Sequence, residues 1–500
     1  MHYTSVPNIM KVIEPLFLNE LNEEFEKHFN DVKKLNKLIN RIAKIKVFDP
    51  ACGSGNFLII AYKQLRRLEI KILARIYEVN HQLNLGFPDV YTKIKLSQFY
   101  GIELDDFAHE MAILSLWLAE HQMNKEFVSE LYDYGKAEDI LPLKEAGNIT
   151  QGNATRLNWE DTCPKNENDE IYILANPPYA GQKKQDLVQK KDLKLLFQDR
   201  TNYKTLDYVS CWFLKGSDYL DSNIKMGLVS TNSICQGNQV GLLWPVILQS
   251  GNIEIFFAVP NFKWTNNAKG NAGVTCSIIG LQKTINNYKK LIFTNNKIIN
   301  ASNINAYLTD GVDIIVQKRM IVLSSLPKMV SGNMALDDGH LMLTENEKND
   351  VISKFPSSEK YIRETTGAKE FIRGLKRYCL WIENDELEEA MKIPFISKRV
   401  NDCRVFRENG GEVAKTLANR SHQFRYRHQP LDSQIIIPLT SSERREYIPM
   451  GFLGDKVVVQ QSAQVLYDPE PFVFGVINSQ MHMVWVKAVG GRMRTDISYS

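Results

Sequence analysis

A glycine-containing turn between a short apolar segment and a long helical one constrains the fold of this chain most strongly. Residues 45–49 have the character of a short apolar strand, residues 50–55 read Pro-Ala-Cys-Gly-Ser-Gly, and a helical pattern runs from about residue 56 to about residue 83. Glycines at such a junction let the backbone bend sharply and let a ligand approach, while the following helix presents free N–H groups. Gly-x-Gly turns can also be purely structural, so the position of this one after the first predicted strand carries the argument.

The rest of the first 300 residues alternates strand-like and helix-like segments. Further strands are predicted over residues 98–104, 171–175, 226–231, 253–259 and 276–282, with helical spacing over residues 6–28 and 105–123. This alternation predicts an α/β fold whose mostly parallel, twisted sheet is covered on both faces. Beyond residue 300 the segments become shorter and mixed. We therefore expect a first domain over residues 1–300, a helical connector over 301–354 and an α+β domain over 355–500.

The bulk composition excludes several classes of protein. A chain of 500 residues exceeds one ordinary core, and its 44% hydrophobic and 24% charged residues are typical of a soluble globular protein. No apolar run reaches the roughly 18 residues that a membrane span requires, and the N-terminus lacks a signal-peptide pattern. The seven cysteines are scattered without a CxxC pair, which fits a reducing cytoplasm and argues against disulfides or a metal site. A net charge of +3 permits nucleic-acid binding only through local basic clusters.

A candidate ligand for ribose hydroxyls stands at the end of the second predicted strand. Glu103 occupies the position where open α/β sheets often hold such hydroxyls with an acidic residue. The alternative is that Glu103 caps the helix starting at Asp105, a role that Asp106 can also fill. The glycine turn begins with Asp49-Pro50, lacks a third glycine at the usual spacing and contains no basic residue. A pyrophosphate is therefore disfavoured, and a nucleoside with an uncharged link to another group, such as S-adenosylmethionine, fits better.

The strand predicted over residues 171–175 leads into a proline-rich tetrapeptide, Asn176-Pro177-Pro178-Tyr179. Two successive prolines fix φ and remove two backbone donors, so the carbonyl oxygens there point in fixed directions. The Asn176 side-chain oxygen and the Pro177 carbonyl can both accept hydrogen bonds from one NH2 group. Such acceptors draw a conjugated amine toward tetrahedral geometry and stabilise positive charge as a methyl group arrives, while Tyr179 offers a face for a base. A purely structural Pro-Pro turn is the alternative, and the flanking Asn and Tyr argue against it.

With these motifs identified, the sequence resembles the N6-adenine DNA methyltransferases of the γ arrangement, in which cofactor motifs precede the catalytic motif and a target-recognition domain comes last. The resemblance covers nearly the whole chain and implies a class I (Rossmann-like) methyltransferase fold that uses S-adenosylmethionine. It implies that the tetrapeptide is catalytic. The positions that it assigns to the cofactor are Tyr3, Thr4, Asp49, Ala51, Gly53, Gly55, Asn56, Phe57, Glu103 and Asn153. Phe262 and Trp264 lie near the place of a family aromatic that helps to hold a flipped base.

Further segments resemble the type IIL restriction–modification enzymes, which combine nuclease, methyltransferase and recognition functions in one polypeptide. These segments are residues 99–103, 117–122, 267–273 and 441–447. Because the chain begins at the leading cofactor motif and shows no acidic–lysine nuclease pattern, we expect the modification and recognition portion, with any nuclease separate or missing. The end at Ser500 without a terminal cap is consistent with a truncated recognition domain. We also expect a cytoplasmic monomer.

The resemblance implies double-stranded DNA as the partner, and methylation inside a duplex requires a base to be flipped out at a cost on the order of a few kcal/mol. An arginine-rich segment over residues 398–427 suits contacts with phosphates and guanine edges, although a solvated basic surface is the alternative. The predicted DNA contacts are Arg404, Arg407, Arg425 and Arg427. A second basic cluster either steers phosphates or forms a solvated helix face; it consists of Lys183, Lys184, Lys190, Lys191 and Lys194.

Three alternatives remain open from the sequence. Tetrapeptides of this kind also take part in the methylation of amide nitrogens and other planar amines. One alternative is therefore an N-methyltransferase acting on RNA or on protein glutamine. Methylation of N4 of cytosine is the second, although that chemistry more often shows Ser at the position of Asn176. The third is a DNA-recognition module of a defence system that binds the cofactor without turnover.

Overall fold

The computed structural model describes residues 4–82, 89–137, 147–167, 169–200, 202–249, 252–264, 274–294, 297–319, 325–493 and 496–499. Contacts between residues divide the chain into two compact units, Met1–Gln317 and Lys318–Ser500. Among the described residues, no helix combines the length and apolar character needed to cross a membrane. All seven cysteines are buried free thiols.

A nine-stranded sheet organises the first unit. Its strands, in chain order, are β1 Ile45–Asp49, β2 Phe99–Glu103, β3 Asn148–Gln151, β4 Glu170–Ala175, β5 Ile224–Thr231, β6 Ile253–Trp264, β7 Val274–Lys283, β8 Lys290–Phe293 and β9 Ile298–Ala301. They lie side by side in the order β9-β8-β6-β7-β5-β4-β1-β2-β3. Strands β1 to β5 pair in parallel, whereas β7 runs antiparallel between β5 and β6. The predicted mostly parallel α/β sheet is thereby confirmed.

Amphipathic helices accompany this sheet. The helices of the first unit are Val6–Ile13, Asn19–Lys27, Val32–Ile42, Asn56–Gln82, Asp106–Glu130, Trp159–Thr162, Leu187–Phe197, Ser210–Tyr219 and Gly237–Trp244. Val32–Ile42 illustrates why they form, because the Asp31 carboxylate accepts a hydrogen bond from the Lys34 N–H and caps the first turn. Its buried residues recur at the spacing of one helix face: Leu35, Leu38, Ile39 and Ile42.

Residues of β1 and β4 alternate between two hydrophobic cores. In β1, Val47 belongs to one core and Phe48 to the other. In β4, Tyr172 and Leu174 belong to the first core, while Ile173 belongs to the second. Successive strand residues point to opposite faces, so both faces of the sheet are covered. Polar side chains can therefore gather where the parallel strands end, which is where open α/β sheets bind ligands.

The second unit contains small sheets and short helices. Its strands are β10 Val330–Ser331, β11 Met342–Leu343, β12 Ile362–Thr366, β13 Tyr378–Leu380, β14 Ser433–Pro438, β15 Thr440–Ser441, β16 Gly451–Gly454, β17 Val458–Val459, β18 Ala463–Tyr467, β19 Gly491–Met493 and β20 Asp496–Ser498. They form sheets in the orders β10-β18-β14-β16, β11-β13-β12-β17 and β15-β20-β19. Its helices are Glu345–Lys354, Ala368–Arg373, Leu387–Ala390, Pro394–Glu408, Glu412–Lys415, Pro471–Ile477 and Gln480–Val489. This mixture matches the predicted α+β character.

The segment predicted as a helical connector, residues 301–354, differs from the prediction. It becomes helical only at Glu345–Lys354, and its described residues before that point form turns and short strands. Polar side chains favour turns there, since the Asp337 carboxylate accepts a hydrogen bond from the Leu341 N–H at 2.6 Å. The contact boundary also falls after residue 317 rather than at 300. The reason is that residues beyond β9, among them Ile304 and Leu308, are buried in the core of the first unit.

Candidate active site

A cavity of about 910 Å³ lies where β1, β2 and β4 end, and it is lined by residues that directly follow these strands. The predicted residues that line it are Thr4, Ala51, Gly53, Asn56, Phe57, Glu103, Asn153, Asn176, Pro177, Pro178 and Tyr179. Asp49 and Gly55 shape the turn beside it, and Tyr3 lies outside the described residues. The structure thus brings the predicted cofactor motifs and the tetrapeptide together around one cavity.

The turn after β1 depends on two glycines with positive φ. Gly53 has φ of +55°, and nothing lies within 4 Å of the position that its Cβ would take. Gly55 has φ of +83°, and an added Cβ would lie 3.4 Å from the backbone of Ala112, in helix Asp106–Glu130. Left-handed backbone is strained for residues with a side chain. Gly55 therefore permits close packing of the turn on this helix, while Gly53 leaves open space for a ligand.

Glu103 joins this turn to the end of β2. Its Oε2 accepts a hydrogen bond from the Gly53 N–H at 2.8 Å, and its Oε1 accepts one from the Asp105 N–H at 2.9 Å. The cap of helix Asp106–Glu130 is Asp105, whose carboxylate accepts from the Ala108 N–H at 2.8 Å. A carboxylate can accept about four hydrogen bonds, so both Glu103 oxygens keep acceptor capacity for ribose hydroxyls.

Asp49 lies beneath the turn, with only 1% of its surface exposed. Its Oδ1 accepts a hydrogen bond from the Ala51 N–H at 3.0 Å, and its Oδ2 has no partner among the described residues. Burial, reinforced by the nearby Glu103 charge, raises the pKa of Asp49 to about 8 in spite of the hydrogen bond from Ala51. Asp49 is therefore mostly protonated at neutral pH and shapes the turn from below.

The lining of the cavity discriminates between classes of ligand. None of the described lining residues is Lys or Arg, whereas Glu103, Asp105 and Asp186 are acidic. A phosphate would lack its usual partners there, and a cationic nucleoside derivative would be favoured. Trp212 adds apolar surface, held in place because its Nε1–H donates to the Pro50 carbonyl at 3.0 Å. The residues present therefore fit S-adenosylmethionine, and contact between Glu103 and its ribose hydroxyls stays a prediction.

The tetrapeptide over residues 176–179 leaves β4 and forms part of the cavity wall. The Asn176 Oδ1 is buried and has no hydrogen-bond partner within the described part of the chain. An unsatisfied buried acceptor costs about 1–3 kcal/mol, which a donor from a bound amine would remove. Because Pro177 and Pro178 fix the backbone that follows, this acceptor stands at the start of a rigid loop.

The residue after the tetrapeptide is held from several directions. The Ala180 N–H donates to Asp207 Oδ1 at 2.9 Å. The Ala180 carbonyl accepts from the Tyr208 N–H at 3.1 Å and from the Gln185 Nε2 at 2.8 Å. Burial raises the pKa of Asp207, although backbone hydrogen bonds from Val209 and Ala180 oppose the shift. These contacts hold the loop in one conformation.

Tyr179 presents a neutral ring to the cavity. It is partly buried beside Cys276 of β7. Burial raises the pKa of the Tyr179 phenol, and the Cys276 thiol and the Asp207 charge raise it further. The phenol therefore stays protonated in the physiological range, and its ring suits stacking against a planar base.

Asn153 lines the cavity, but most of its amide is already engaged within the protein. Its Oδ1 accepts from the Thr155 N–H at 3.0 Å and from the Thr155 hydroxyl at 2.7 Å. Its Nδ2 donates to Asp192 Oδ2 at 3.0 Å. An Asn amide has two N–H donors, so one of them is left for a ligand. Contact with the adenine of the cofactor stays a prediction.

Several residues of this site were not predicted from the sequence. Tyr208 and Trp212 line the cavity, and Asp192 lies directly behind it as a partner of Asn153 and Tyr208. Tyr208 and Trp212 belong to no recognisable motif. Asp192 carried a usable signal, because it is an acidic residue on the buried face of helix Leu187–Phe197.

Phe262 does not face the cavity. Its ring is 4% exposed and belongs to a hydrophobic core, with the Lys11 ammonium 4.4 Å from the ring centre. The predicted contact between Phe262 and a flipped base is therefore not supported, because protein already covers the ring. Trp264 ends β6, and its side chain lies outside the described residues, as do residues 267–273.

Arg407 is fully buried in the second unit, so the predicted DNA contact at this position is wrong. Its guanidinium donates to five main-chain carbonyls at distances from 2.7 to 3.1 Å. The acceptors are the carbonyls of Ala335, Leu336, Leu417, Arg420 and Gln423. Every direction of the guanidinium fork is thus used to join separate segments of the unit.

The other predicted arginines differ in their availability. Arg427 pairs with both carboxylate oxygens of Glu383, at 2.7 and 3.0 Å, and lies 4.4 Å from the ring centre of Trp381. Arg425 is half-buried against the ring of Tyr426. Arg404 is exposed and donates a hydrogen bond to Asn401 Oδ1 at 3.1 Å. Of the four predicted DNA contacts, Arg404 is therefore the one most accessible to a phosphate.

The strand order of the first unit, with its antiparallel β7, is that of class I S-adenosylmethionine-dependent methyltransferases. These enzymes bind the cofactor where the parallel strands end, and here that edge holds an acidic cavity that disfavours phosphate. The fold and the site together define the chain as a member of this class.

Comparisons with known proteins narrow the assignment. Residues 25–294 match the family described as MmeI, DNA-methyltransferase domain, and residues 310–500 match MmeI, target recognition domain. DNA methyltransferase A of Bacillus subtilis (strain 168) is 45% identical over 502 residues, covering 100% of this chain and 56% of that relative. A putative type II restriction enzyme and methyltransferase of Methanocaldococcus jannaschii is 37% identical over 218 residues, covering 41% of this chain and 17% of that protein.

A solved structure extends this result to the whole chain. The type IIL restriction–modification enzyme MmeI in complex with DNA is 39% identical, with a TM-score of 0.88 over 100% of this chain and 67% of that one. The chain therefore belongs to the MmeI family, whose DNA-methyltransferase and target-recognition domains it contains. This confirms the resemblance to the type IIL enzymes. The chain spans 56% of the length of its Bacillus relative.

Proposed function

We propose that this chain transfers a methyl group from S-adenosylmethionine to N6 of an adenine flipped out of duplex DNA, as the modification and recognition portion of a restriction–modification system. The observation that carries the proposal is the buried Asn176 Oδ1, which has no hydrogen-bond partner among the described residues and lies at the start of a rigid loop in the cavity wall. An exocyclic amine has two N–H groups, and the second can be accepted by the Pro177 carbonyl.

Different residues of the cavity have different roles in the reaction. When bound, the cofactor supplies an activated methyl group. Asn176 and the Pro177 carbonyl accept from the target amine, which turns its lone pair out of conjugation and stabilises the positive charge that develops on nitrogen. Tyr179 provides a stacking face that orients the base. The nitrogen becomes strongly acidic once methylated, so its proton can pass to water without a strong general base.

Duplex DNA as the substrate is supported by the second unit and by the surface next to the cavity. MmeI, the relative with known structure, was solved in complex with DNA. In this chain, Arg404 is exposed in the second unit. In the first unit, helix Leu187–Phe197 follows the tetrapeptide, and the exposed lysines on and before it are Lys183, Lys184, Lys190, Lys191 and Lys194. Exposed cations beside the cavity suit the phosphates that flank a flipped base.

A methyl-transfer assay with a panel of acceptors tests this proposal. Purified chain is incubated with S-adenosylmethionine carrying a tritiated methyl group and with duplex DNA, single-stranded RNA or a glutamine-containing protein extract. We expect label in duplex DNA and background in the other two. Label in RNA or protein at the expense of DNA would replace the proposed substrate. Binding of cofactor and DNA with no label in any acceptor would show a recognition module without turnover.

A further inference from the structure

Asp192 occupies an unusual position behind the cofactor cavity. It lies on helix Leu187–Phe197, which follows the tetrapeptide, and its side chain is 1% exposed. A buried carboxylate is unfavourable unless its oxygens are fully hydrogen-bonded. Here both oxygens are occupied, and the donors come from segments far apart in the sequence.

Three hydrogen bonds and a further ion-pair contact converge on this carboxylate. Oδ1 accepts from Arg156 Nε at 2.8 Å, and a second Arg156 nitrogen lies 2.7 Å from the same oxygen. Oδ2 accepts from Asn153 Nδ2 at 3.0 Å and from the Tyr208 hydroxyl at 2.7 Å. Burial favours the neutral acid, but these hydrogen bonds and the Arg156 charge outweigh it and lower the pKa of Asp192. The carboxylate is therefore ionised at neutral pH.

Two of these donors belong to different walls of the cavity. Asn153 lies on the wall that follows β3, and its amide is oriented by Thr155 and Asp192 together. Tyr208 lies on another wall, and its own N–H donates to the carbonyl of Ala180, directly after the tetrapeptide. Asp192 thus connects the side assigned to the cofactor with the side that carries the catalytic loop.

We propose that Asp192 is a positioning residue. It fixes the cavity wall that contains Asn153 relative to the wall that contains Tyr208, which contacts the residue after the tetrapeptide. It is not among the residues that line the cavity, so it acts through Asn153 and Tyr208. Because Asp192 holds the two sides of the cavity in fixed positions before the cofactor binds, less conformational entropy is lost on binding. The proposal deepens the proposed function, but its cofactor-binding part holds for any methyl acceptor.

Asp192→Asn tests the proposal with little change in volume. The amide brings an NH2 donor to face either Arg156 or the pair Asn153 and Tyr208. The Arg156 guanidinium and the Asn153 amide nitrogen can only donate, so at least one hydrogen bond of the junction is lost in either orientation. We expect the Kd for S-adenosylmethionine, measured by calorimetry without DNA, to rise about tenfold or more. The matched control is Asp199→Asn, which removes an exposed acid just beyond the same helix and should leave the Kd within about twofold.

A stability measurement separates positioning from a merely structural role. The melting temperature of each variant is recorded without cofactor, and the Kd is measured well below it. A variant that melts earlier but keeps the wild-type Kd and kcat would reduce Asp192 to a fold-stabilising residue and overturn the proposal. Since the Kd is measured without any acceptor, a failure of DNA methylation in the wild type would not be confused with a failure of this test.

Tyr208→Phe provides a second, milder variant that decides the matter if Asp192→Asn does not fold. It removes only the hydroxyl that reaches Asp192 and retains the ring. We expect the Kd for the cofactor to stay within about threefold, because Asn153 and Arg156 still hold Asp192, while kcat falls about fivefold or more as the loop side loses its anchor. A wild-type kcat in this variant would show that the junction does not act on the catalytic loop.

Discussion

Polar side chains serve opposite purposes in the two units of the molecule. In the cavity of the first unit, Asn176 and Glu103 keep hydrogen-bonding capacity that no other described residue uses. In the second unit, Arg407 and Arg427 direct their donors to main-chain carbonyls and to Glu383. Saturation of hydrogen bonds, rather than the type of residue, therefore separates side chains that can bind a ligand from those that hold the fold together.

The largest effect is expected from Asn176→Ala. Loss of the amide oxygen removes the acceptor for the target amine, so kcat for DNA methylation should fall at least about 100-fold. The Kd for S-adenosylmethionine should stay within about twofold, because Glu103 and the glycine turn are unaltered. A time course of labelled methyl transfer measures kcat, and calorimetry measures the Kd for the cofactor. A variant with normal kcat would remove Asn176 from the mechanism.

Two arginine variants test whether a side chain with saturated hydrogen bonds stabilises the second unit. Arg407→Ala removes a donor from five carbonyls, of which those of Leu417 and Arg420 keep a backbone N–H donor, and it breaks the link between separate segments. We expect the free energy of unfolding of the second unit to fall by about 3–5 kcal/mol. Arg404→Ala alters an exposed side chain and should change stability by less than about 0.5 kcal/mol. Chemical denaturation compares the two. Arg404→Ala should instead weaken binding to duplex DNA, with a smaller dependence of affinity on salt. Equal stability of the two variants would contradict the structural role of Arg407.

Counted over a single pH unit, the smallest of these effects is the pH dependence of stability. The pKa of Asp49 is about 8 in the folded protein and roughly 3.9 when unfolded, so the folded state binds the extra proton between these values. Stability from this group is therefore present at low pH and lost as the pH rises toward about 8. Asp49→Asn removes the titration, so the wild type should lose stability relative to the variant by at most about 1.4 kcal/mol per pH unit. Denaturation of both proteins across this window checks it, and parallel curves would show that Asp49 is ionised.

The strand-end motifs of the first unit could be predicted because their geometry is local. Gly53, Glu103 and Asn176 each follow or end a strand, and the ends of parallel strands meet at one edge of a sheet. Strands β3, β8 and β9 were missed because they are four residues long and mostly half-exposed, which leaves little hydrophobic pattern. The prediction of a helical connector was wrong for the described residues before Glu345, because polar side chains such as Asp337 stabilise turns there.

The remainder of the site depends on contacts between distant residues, which a single sequence does not reveal. Asn153 meets Asp192 across 39 positions, and Arg407 meets Ala335 across 72. A cluster of arginines indicates charge but not the direction in which each side chain points. For this reason the composition of residues 398–427 suggested a DNA-binding face, while the structure uses Arg407 as an internal crosslink.

Methylation of N6 of adenine in duplex DNA is the reaction proposed for the cavity. Mass spectrometry tests it on the nucleosides released from duplex DNA after incubation with S-adenosylmethionine and either the wild-type chain or Asn176→Ala. We expect N6-methyldeoxyadenosine with the wild type and none above background with the variant. N4-methyldeoxycytidine as the product, or N6-methyldeoxyadenosine at equal levels with both proteins, would contradict it.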